Sequence, residues 1–453
     1  MKKGIMSAKG GERNYSIAVV SLGCSKNLVN TEQMMFLLQQ AGYTVTGDTD
    51  AADAVIINTC GFIESAKTEA IETIIEFGKA KYKSKTGKII VAGCLAQRYK
   101  QEIFEQMPEV DALVGTGSFD DITEVVDRVL KSGERPAVFG NINAPVSETC
   151  RVHTTSPSWT YLKIAEGCDN KCAYCVIPEI RGGYRSRPVE KIISEATDLA
   201  AVGIKELILV AQDVTGYGHD IYGENRLSDL LVRLCKIDKL EWIRLHYLYP
   251  TEIDDKLIDV IAENDKIVKY LDIPVQHVND GILRQMNRRG GAKEIRSLIT
   301  KLRKEIPGVV FRTSIITGLP GEGEAQFQEL CEFLQESKIE RAGIFPYSPE
   351  EGTAAARLER PDTGIAGRRA EILSGIQSQI MDEYNESRIG SVTKILIEGF
   401  DEGRCYGRSF AESPEVDGYI AVEGGGIASN EFAHVLITGI KNGEPVGNAI
   451  GIP

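Results

Sequence analysis

Apolar residues in this chain fall in short runs divided by polar and glycine-rich stretches. Ile17–Ser21, Ala54–Ile57 and Lys88–Ala92 are near-continuous apolar runs, the pattern of strands covered on both faces of a parallel sheet. Between them, Thr31–Gln40 and Ser65–Lys79 carry apolar residues at helical spacing. The alternation predicts an open parallel α/β domain over residues 14–140. Gly140–Ser158, rich in Asn, Pro, Ser and Thr without sustained period, reads as a linker. The strand–helix alternation then resumes, with strand candidates at Tyr161–Ile164, Glu206–Val210, Glu241–Leu245, Lys269–Ile273, Val309–Ile316 and Ala342–Tyr347. Six such units predict a parallel, partial β/α barrel over 155–385, whose site lies where strands hand over to loops. A helical pattern from Ala366 to about Arg388 leads to short strands with Gly-rich turns, Val392–Glu398, Gly418–Val422 and Ala433–Ile440. These predict a small antiparallel β-barrel over 386–453.

Composition narrows the class. At 453 residues, 42% hydrophobic and 26% charged, the chain suits a folded protein of several domains. Its net charge of −13 disfavours non-specific attachment to nucleic acid or anionic membrane and suits a basic partner. No apolar run is long enough to span a bilayer, and Met1–Ser16 has no apolar leader core, so a cytoplasmic location with no membrane role is expected. In that reducing setting ten cysteines point to metal rather than to disulfides.

Two cysteine sets stand out. Cys168-Asp169-Asn170-Lys171-Cys172-Ala173-Tyr174-Cys175 follows the first strand of the central domain and places three thiols in one loop. Structural zinc and ordinary ferredoxin clusters take four protein ligands, so three leave one metal position open for chemistry. The plainer alternative is a zinc loop completed by a distant Cys or His. Cys24, Cys60 and Cys94 each follow a predicted strand of the first domain. Strand C-termini of an open parallel sheet converge on one crevice, so these three can also meet. Cys150, Cys235, Cys331 and Cys405 share no spacing and read as structural.

The Cys-x-x-x-Cys-x-x-Cys loop at a barrel mouth resembles the radical S-adenosylmethionine superfamily. Two three-cysteine sets followed by a small barrel resemble its methylthiotransferases, over nearly the whole chain. Ser21–Asn30, Asn58–Ile63, Lys163–Cys172, Tyr270–His277, Gly407–Ser409 and Pro414–Gly418 resemble the ribosomal-protein (RimO) branch more than the transfer-RNA branch. Ser25 departs from that branch, which commonly has proline there. The resemblance implies two [4Fe-4S] clusters, one on Cys168, Cys172 and Cys175 and the other on Cys24, Cys60 and Cys94, facing each other across one cavity. It also implies S-adenosylmethionine beside Tyr174, Gln212, Asp213, Gly318 and Glu322, and a TRAM-like final barrel. The first cluster would cleave the cofactor to a radical that takes hydrogen from substrate; the second would hold the sulfur, methylated by a second cofactor molecule. The implied substrate is the β-carbon of an aspartate in small-subunit ribosomal protein twelve, with an external electron donor and a sulfur donor; nucleic acid is not required, unless through the ribosome.

From Glu386 onward five Lys/Arg stand against ten Asp/Glu, a net of −5, which suits a basic ribosomal protein better than RNA. The other readings are methylthiolation of a modified adenosine in transfer RNA and a metal-bound RNA-binding scaffold. Arg181, Arg185 and Arg187 could approach the cofactor carboxylate or the substrate, or be solvated loop charges. His246 and His277 read as structural.

Overall fold

The computed structural model describes residues 15–83, 87–401, 404–424 and 426–451. All of the N-terminal segment read as free of a leader core, Tyr15 and Ser16 excepted, lies outside the described residues. Two compact units result: one runs to Ile142 and includes Thr149–Val152, and the other holds Asn143–Glu148 and everything from His153 on.

The first unit is a six-stranded parallel sheet of β1 (Ser16–Ser21), β2 (Thr44–Thr46), β3 (Ala54–Thr59), β4 (Lys88–Gly93), β5 (Ala112–Val114) and β6 (Ala137–Val138), in the order β2-β1-β3-β4-β5-β6. Its apolar runs are strands because both faces are covered. Ile56 packs with Met34, Leu38 and Val125 on one face, while Val55 and Ile57 pack with Ile74 and Leu95 on the other. Strand order reverses direction between β1 and β3, and such a switch point opens a crevice at the strand C-termini. Strands β2, β5 and β6, of two or three residues, are too short to give a periodic signal.

In the second unit, β7 (Trp159–Lys163) is followed by a small ribbon of β8 (Ala165–Glu166) and β9 (Arg185–Ser186). Then come β10 (Glu206–Val210), β11 (Trp242–Leu245), β12 (Ile267–Asp272), β13 (Val310–Thr317) and β14 (Arg341–Pro346). The sheet order is β14-β13-β12-β11-β10-β7, all parallel, which is the expected six-unit partial barrel. Cys331 is buried in its core and Cys235 packs against it.

The helix Thr363–Ser387 leads into a closed barrel of β15 (Val392–Asp401), β16 (Arg404–Arg408), β17 (Ile420–Glu423), β18 (Phe432–Lys441) and β19 (Glu444–Gly451), ordered β15-β16-β17-β19-β18. An entirely antiparallel barrel was expected. Five strands cannot alternate direction around a closed ring, and β17 pairs with β19 in parallel.

Within this unit the barrel is keyed to the central sheet by buried charge. Glu206 receives Arg244 Nε and Arg408 Nη2, each at 2.7 Å, and Arg408 also holds Glu398, which accepts from Trp159 Nε1 at 3.1 Å. Glu412 binds Arg388 at 2.5 Å and Arg341 at 3.3 Å; Tyr161 and Tyr270 donate to Glu415 and Asp417. Four of the ten acidic residues counted above are therefore satisfied within the molecule, so the acidic outer face is weaker than the count suggests. No helix among the described residues is long and apolar enough to cross a membrane.

Candidate cluster and cofactor sites

Cys24, Cys60 and Cys94 follow β1, β3 and β4, which are neighbours in the sheet, so three loops meet over adjacent strand ends. The approach is close. Gly23 has φ +90°, and a Cβ there would lie 2.7 Å from Cys60 Cβ; a Cβ at Gly61 would lie 2.9 Å from the Cys94 backbone. Buried asparagines hold the loops. Asn27 donates to the carbonyls of Leu22 at 3.1 Å and Thr59 at 2.9 Å, and Asn58 donates to Asn27 O at 2.9 Å. Cys94 Sγ lies 3.7 Å from Asn27 Oδ1, and Arg98 donates to Gly61 O at 2.9 Å. The sequence flagged these cysteines by position; the asparagines gave no separate signal.

In the second unit the loop of Cys168, Cys172 and Cys175 follows the C-terminal end of β7, in the connection between β8 and β9. Cys168 is buried, the other two are half-buried, and Ile177 N donates to Cys175 Sγ at 3.5 Å. Burial pushes the Cys168 thiol up to about 11 and the Cys175 thiol to about 12 when no metal is bound. Thiols so disfavoured as free thiolates need a cation to ionise.

Among the described residues, no group of three or more His, Cys, Asp or Glu is gathered as ligands of a single ion. Each trio offers three thiols from one loop or from loops over adjacent strand ends, a donor set for three of the four irons of a [4Fe-4S] cluster.

A strap after β12 clasps the loop. Ala173 N donates to Met286 O at 2.9 Å, Asn287 Nδ2 to Lys171 O at 2.7 Å, and Arg289 Nη2 to Asn170 Oδ1 at 2.8 Å. Arg288 reaches Cys172 Sγ at 3.7 Å, the Tyr174 hydroxyl at 3.1 Å and Pro274 O at 2.6 Å. The sequence reading missed these residues because more than a hundred positions separate them from the loop.

Gln212 and Asp213, at the end of β10, come to this loop. Asn170 Nδ2 donates to Asp213 Oδ2 at 2.8 Å, and burial raises the Asp213 carboxyl. Gln212 Nε2 donates to Glu166 Oε1 at 2.6 Å, which leaves Gln212 Oε1 buried without a partner, an acceptor suited to an ammonium. Glu166 is buried with Lys163 and Arg181; burial opposes ionisation, but Arg181 and Lys163 hold its carboxyl well below the usual range. Tyr174 packs against Met286 and Leu319.

Gly318 and Glu322 are taken up with a helix. Gly318, φ +74°, admits Ala366, whose Cβ would lie 2.3 Å from a Cβ there; Glu322 is buried against Arg369 at 2.8 Å. Arg187 pairs with Glu148 and Glu195, and Arg185 donates to Arg181 O at 3.1 Å. His246 meets Ser413 at 2.9 Å, and His277 Nδ1 accepts from Val278 N and Asn279 N.

Comparison with known proteins agrees with this architecture. Residues 16–115 match the uncharacterized protein family UPF0004, 162–334 the radical SAM superfamily, and 389–450 the TRAM domain. Among solved structures, the radical S-adenosylmethionine methyltransferase TsrM of Kitasatospora setae, with cobalamin and [4Fe-4S] cluster bound, shares the fold at TM-score 0.56 and 13% identity, covering 74% of this chain and 77% of that one. The chain is 48% identical over 439 residues to the ribosomal protein uS12 methylthiotransferase RimO of Lachnoclostridium phytofermentans, covering 96% of this chain and 99% of that protein. It is 45% identical over 446 residues to the protein of that name from Acetivibrio thermocellus, covering 96% and 98%. A parallel sheet carrying a three-thiol loop at its mouth, a second sheet with three thiols at adjacent strand ends, and full-length similarity of this degree place the chain in the RimO family of radical S-adenosylmethionine methylthiotransferases.

Proposed function

We propose that this protein transfers a methylthio group to the β-carbon of an aspartate in ribosomal protein uS12, in the cytoplasm, drawing on an external electron donor and a sulfur donor. The carrying observation is the pair of cysteine trios, each at the C-terminal edge of its own parallel sheet, in a chain whose relatives are named for uS12. We assign Cys168, Cys172 and Cys175 to one [4Fe-4S] cluster and Cys24, Cys60 and Cys94 to a second. When bound, these groups supply reductive cleavage of S-adenosylmethionine and an open iron for sulfur, chemistry that no side chain here can perform on an unactivated carbon.

The residues bind and orient. Gln212 Oε1 offers the methionine ammonium an acceptor, and Asp213, anchored to Asn170, adds negative charge beside it. Tyr174, packed against Met286 and Leu319, would border the adenine. The ties of Gly318 and Glu322 to the helix Thr363–Ser387 favour shaping that wall of the pocket over direct contact with the cofactor. In this division of labour residues 14–140 serve sulfur transfer, 155–385 cofactor cleavage, and the barrel, 386–453, substrate recognition. Anaerobic assays offering uS12 and transfer RNA side by side test the reading. Methylthiolation of an aspartate in uS12 supports it; modification of transfer RNA alone rejects the substrate, and absence of both products rejects the activity.

A further inference from the structure

Arg288 places a guanidinium against the cysteine loop with no carboxylate beside it among the described residues. Its neighbour Arg289 pairs with Glu252, and elsewhere in this unit Arg312 pairs with Asp272 and Arg369 with Glu322. Among the described residues Arg288 has no such pair, although it is half-buried. It faces Cys172 Sγ at 3.7 Å, the Tyr174 hydroxyl at 3.1 Å, Pro274 O at 2.6 Å and the Tyr249 ring at 4.7 Å. A cation withdrawn from water needs a compensating anion. The thiol in contact with it is the one group among these that becomes a full anion on binding iron.

The side chain is also held in place. Met286, Asn287 and Arg289 each bond a different residue of the cysteine loop, so Arg288 enters on a segment fixed on both sides. Asn287 adopts φ +53°, a left-handed turn that sets the direction of the strap. Arg289 N donates to the Tyr249 hydroxyl at 3.0 Å, fixing the far end.

We propose that Arg288 is a positioning residue that sets the reduction potential of the cluster on Cys168, Cys172 and Cys175, through its charge and its N–H donated to the Cys172 sulfur. The inference rests on the cluster assignment made above. Reduction adds one electron, taken from an external low-potential donor, to an already anionic assembly of iron, sulfide and thiolates. A fixed cation and an N–H···S hydrogen bond both favour the more negative, reduced state. Without them, the electron is harder to add.

The test is a potentiometric titration followed by electron paramagnetic resonance, in full-length protein whose Cys24, Cys60 and Cys94 are replaced by alanine so that one cluster is observed. Arg288→Gln is expected to make the one-electron reduction at least tenfold less favourable, a downward shift of about 59 mV, with iron content unchanged. Arg288→Lys, which keeps the charge, is expected to recover most of the shift. An unchanged potential in Arg288→Gln overturns the proposal. So does loss of iron in both variants, which would make Arg288 a support of the loop alone. Absence of any cluster in the parent carrying the Cys168 trio would instead overturn the cluster assignment.

Discussion

Arg408 in the barrel and Glu206 in the central sheet, 202 positions apart in sequence, meet at 2.7 Å with both side chains wholly buried. Arg244 takes the other oxygen of Glu206, so two guanidiniums and one carboxylate form a closed set with Glu398. Removing one member leaves buried charge uncompensated, which costs more than the pair contributed. Arg408→Met is therefore expected to lower stability by about 3–5 kcal/mol, read as a lower urea midpoint, whereas Lys394→Met, at the half-exposed pair with Glu241, is expected to change it by less than about 1 kcal/mol.

A second joint of the same kind gives a pH dependence. Burial pushes the Glu412 carboxyl up, but Arg388 and Arg341 outweigh it and hold the group at about 2, below its ordinary 4.5. A carboxyl lowered by folding stabilises above its unfolded value and loses that contribution as pH falls from about 4.5 toward about 2. The difference amounts to about 3 kcal/mol at neutral pH. Denaturation from pH 6 to 3 should show wild type losing stability faster than Glu412→Gln, with the two curves converging in acid; parallel curves would remove the assignment.

Gly23 tests the first trio. A methyl group there meets Cys60 Cβ and demands an unfavourable φ, so Gly23→Ala is expected to displace the Cys60 loop. Iron in anaerobically reconstituted protein should fall from about eight toward about four per chain, while cleavage of S-adenosylmethionine persists. Full iron content would show that the loop tolerates the change.

Gln212 tests the cofactor pocket. Its Oε1 is buried without a partner, and replacing Gln212 by Leu removes the acceptor. Loss of one hydrogen bond to a charged group is worth about 1.5 kcal/mol, roughly tenfold in Kd. Equilibrium dialysis of S-adenosylmethionine against reconstituted protein should show this weakening, and an unchanged Kd would place the ammonium elsewhere.

The long apolar strands were legible because a strand buried on both faces needs a continuous apolar run, and the six cysteines because they follow such runs. Strands β16 and β19 were missed: Arg404–Arg408 is polar, and Glu444–Gly451 carries two glycines and an asparagine. Arg408 could be recognised as part of a motif but not as a buried counter-ion, since its partner lies two hundred residues away. The same blindness to long-range pairing made the barrel look more acidic than its surface is, and hid Arg288 from the cysteine loop it touches.

The division of labour between the cysteine trios is tested most directly by one anaerobic reaction containing uS12, S-adenosylmethionine, sulfide and reductant, with 5′-deoxyadenosine and methylthiolated aspartate quantified together. Alanine at Cys24, Cys60 and Cys94 should retain 5′-deoxyadenosine and abolish the methylthio product, while alanine at Cys168, Cys172 and Cys175 should abolish both. Methylthio-aspartate formed by either triple variant would contradict the account.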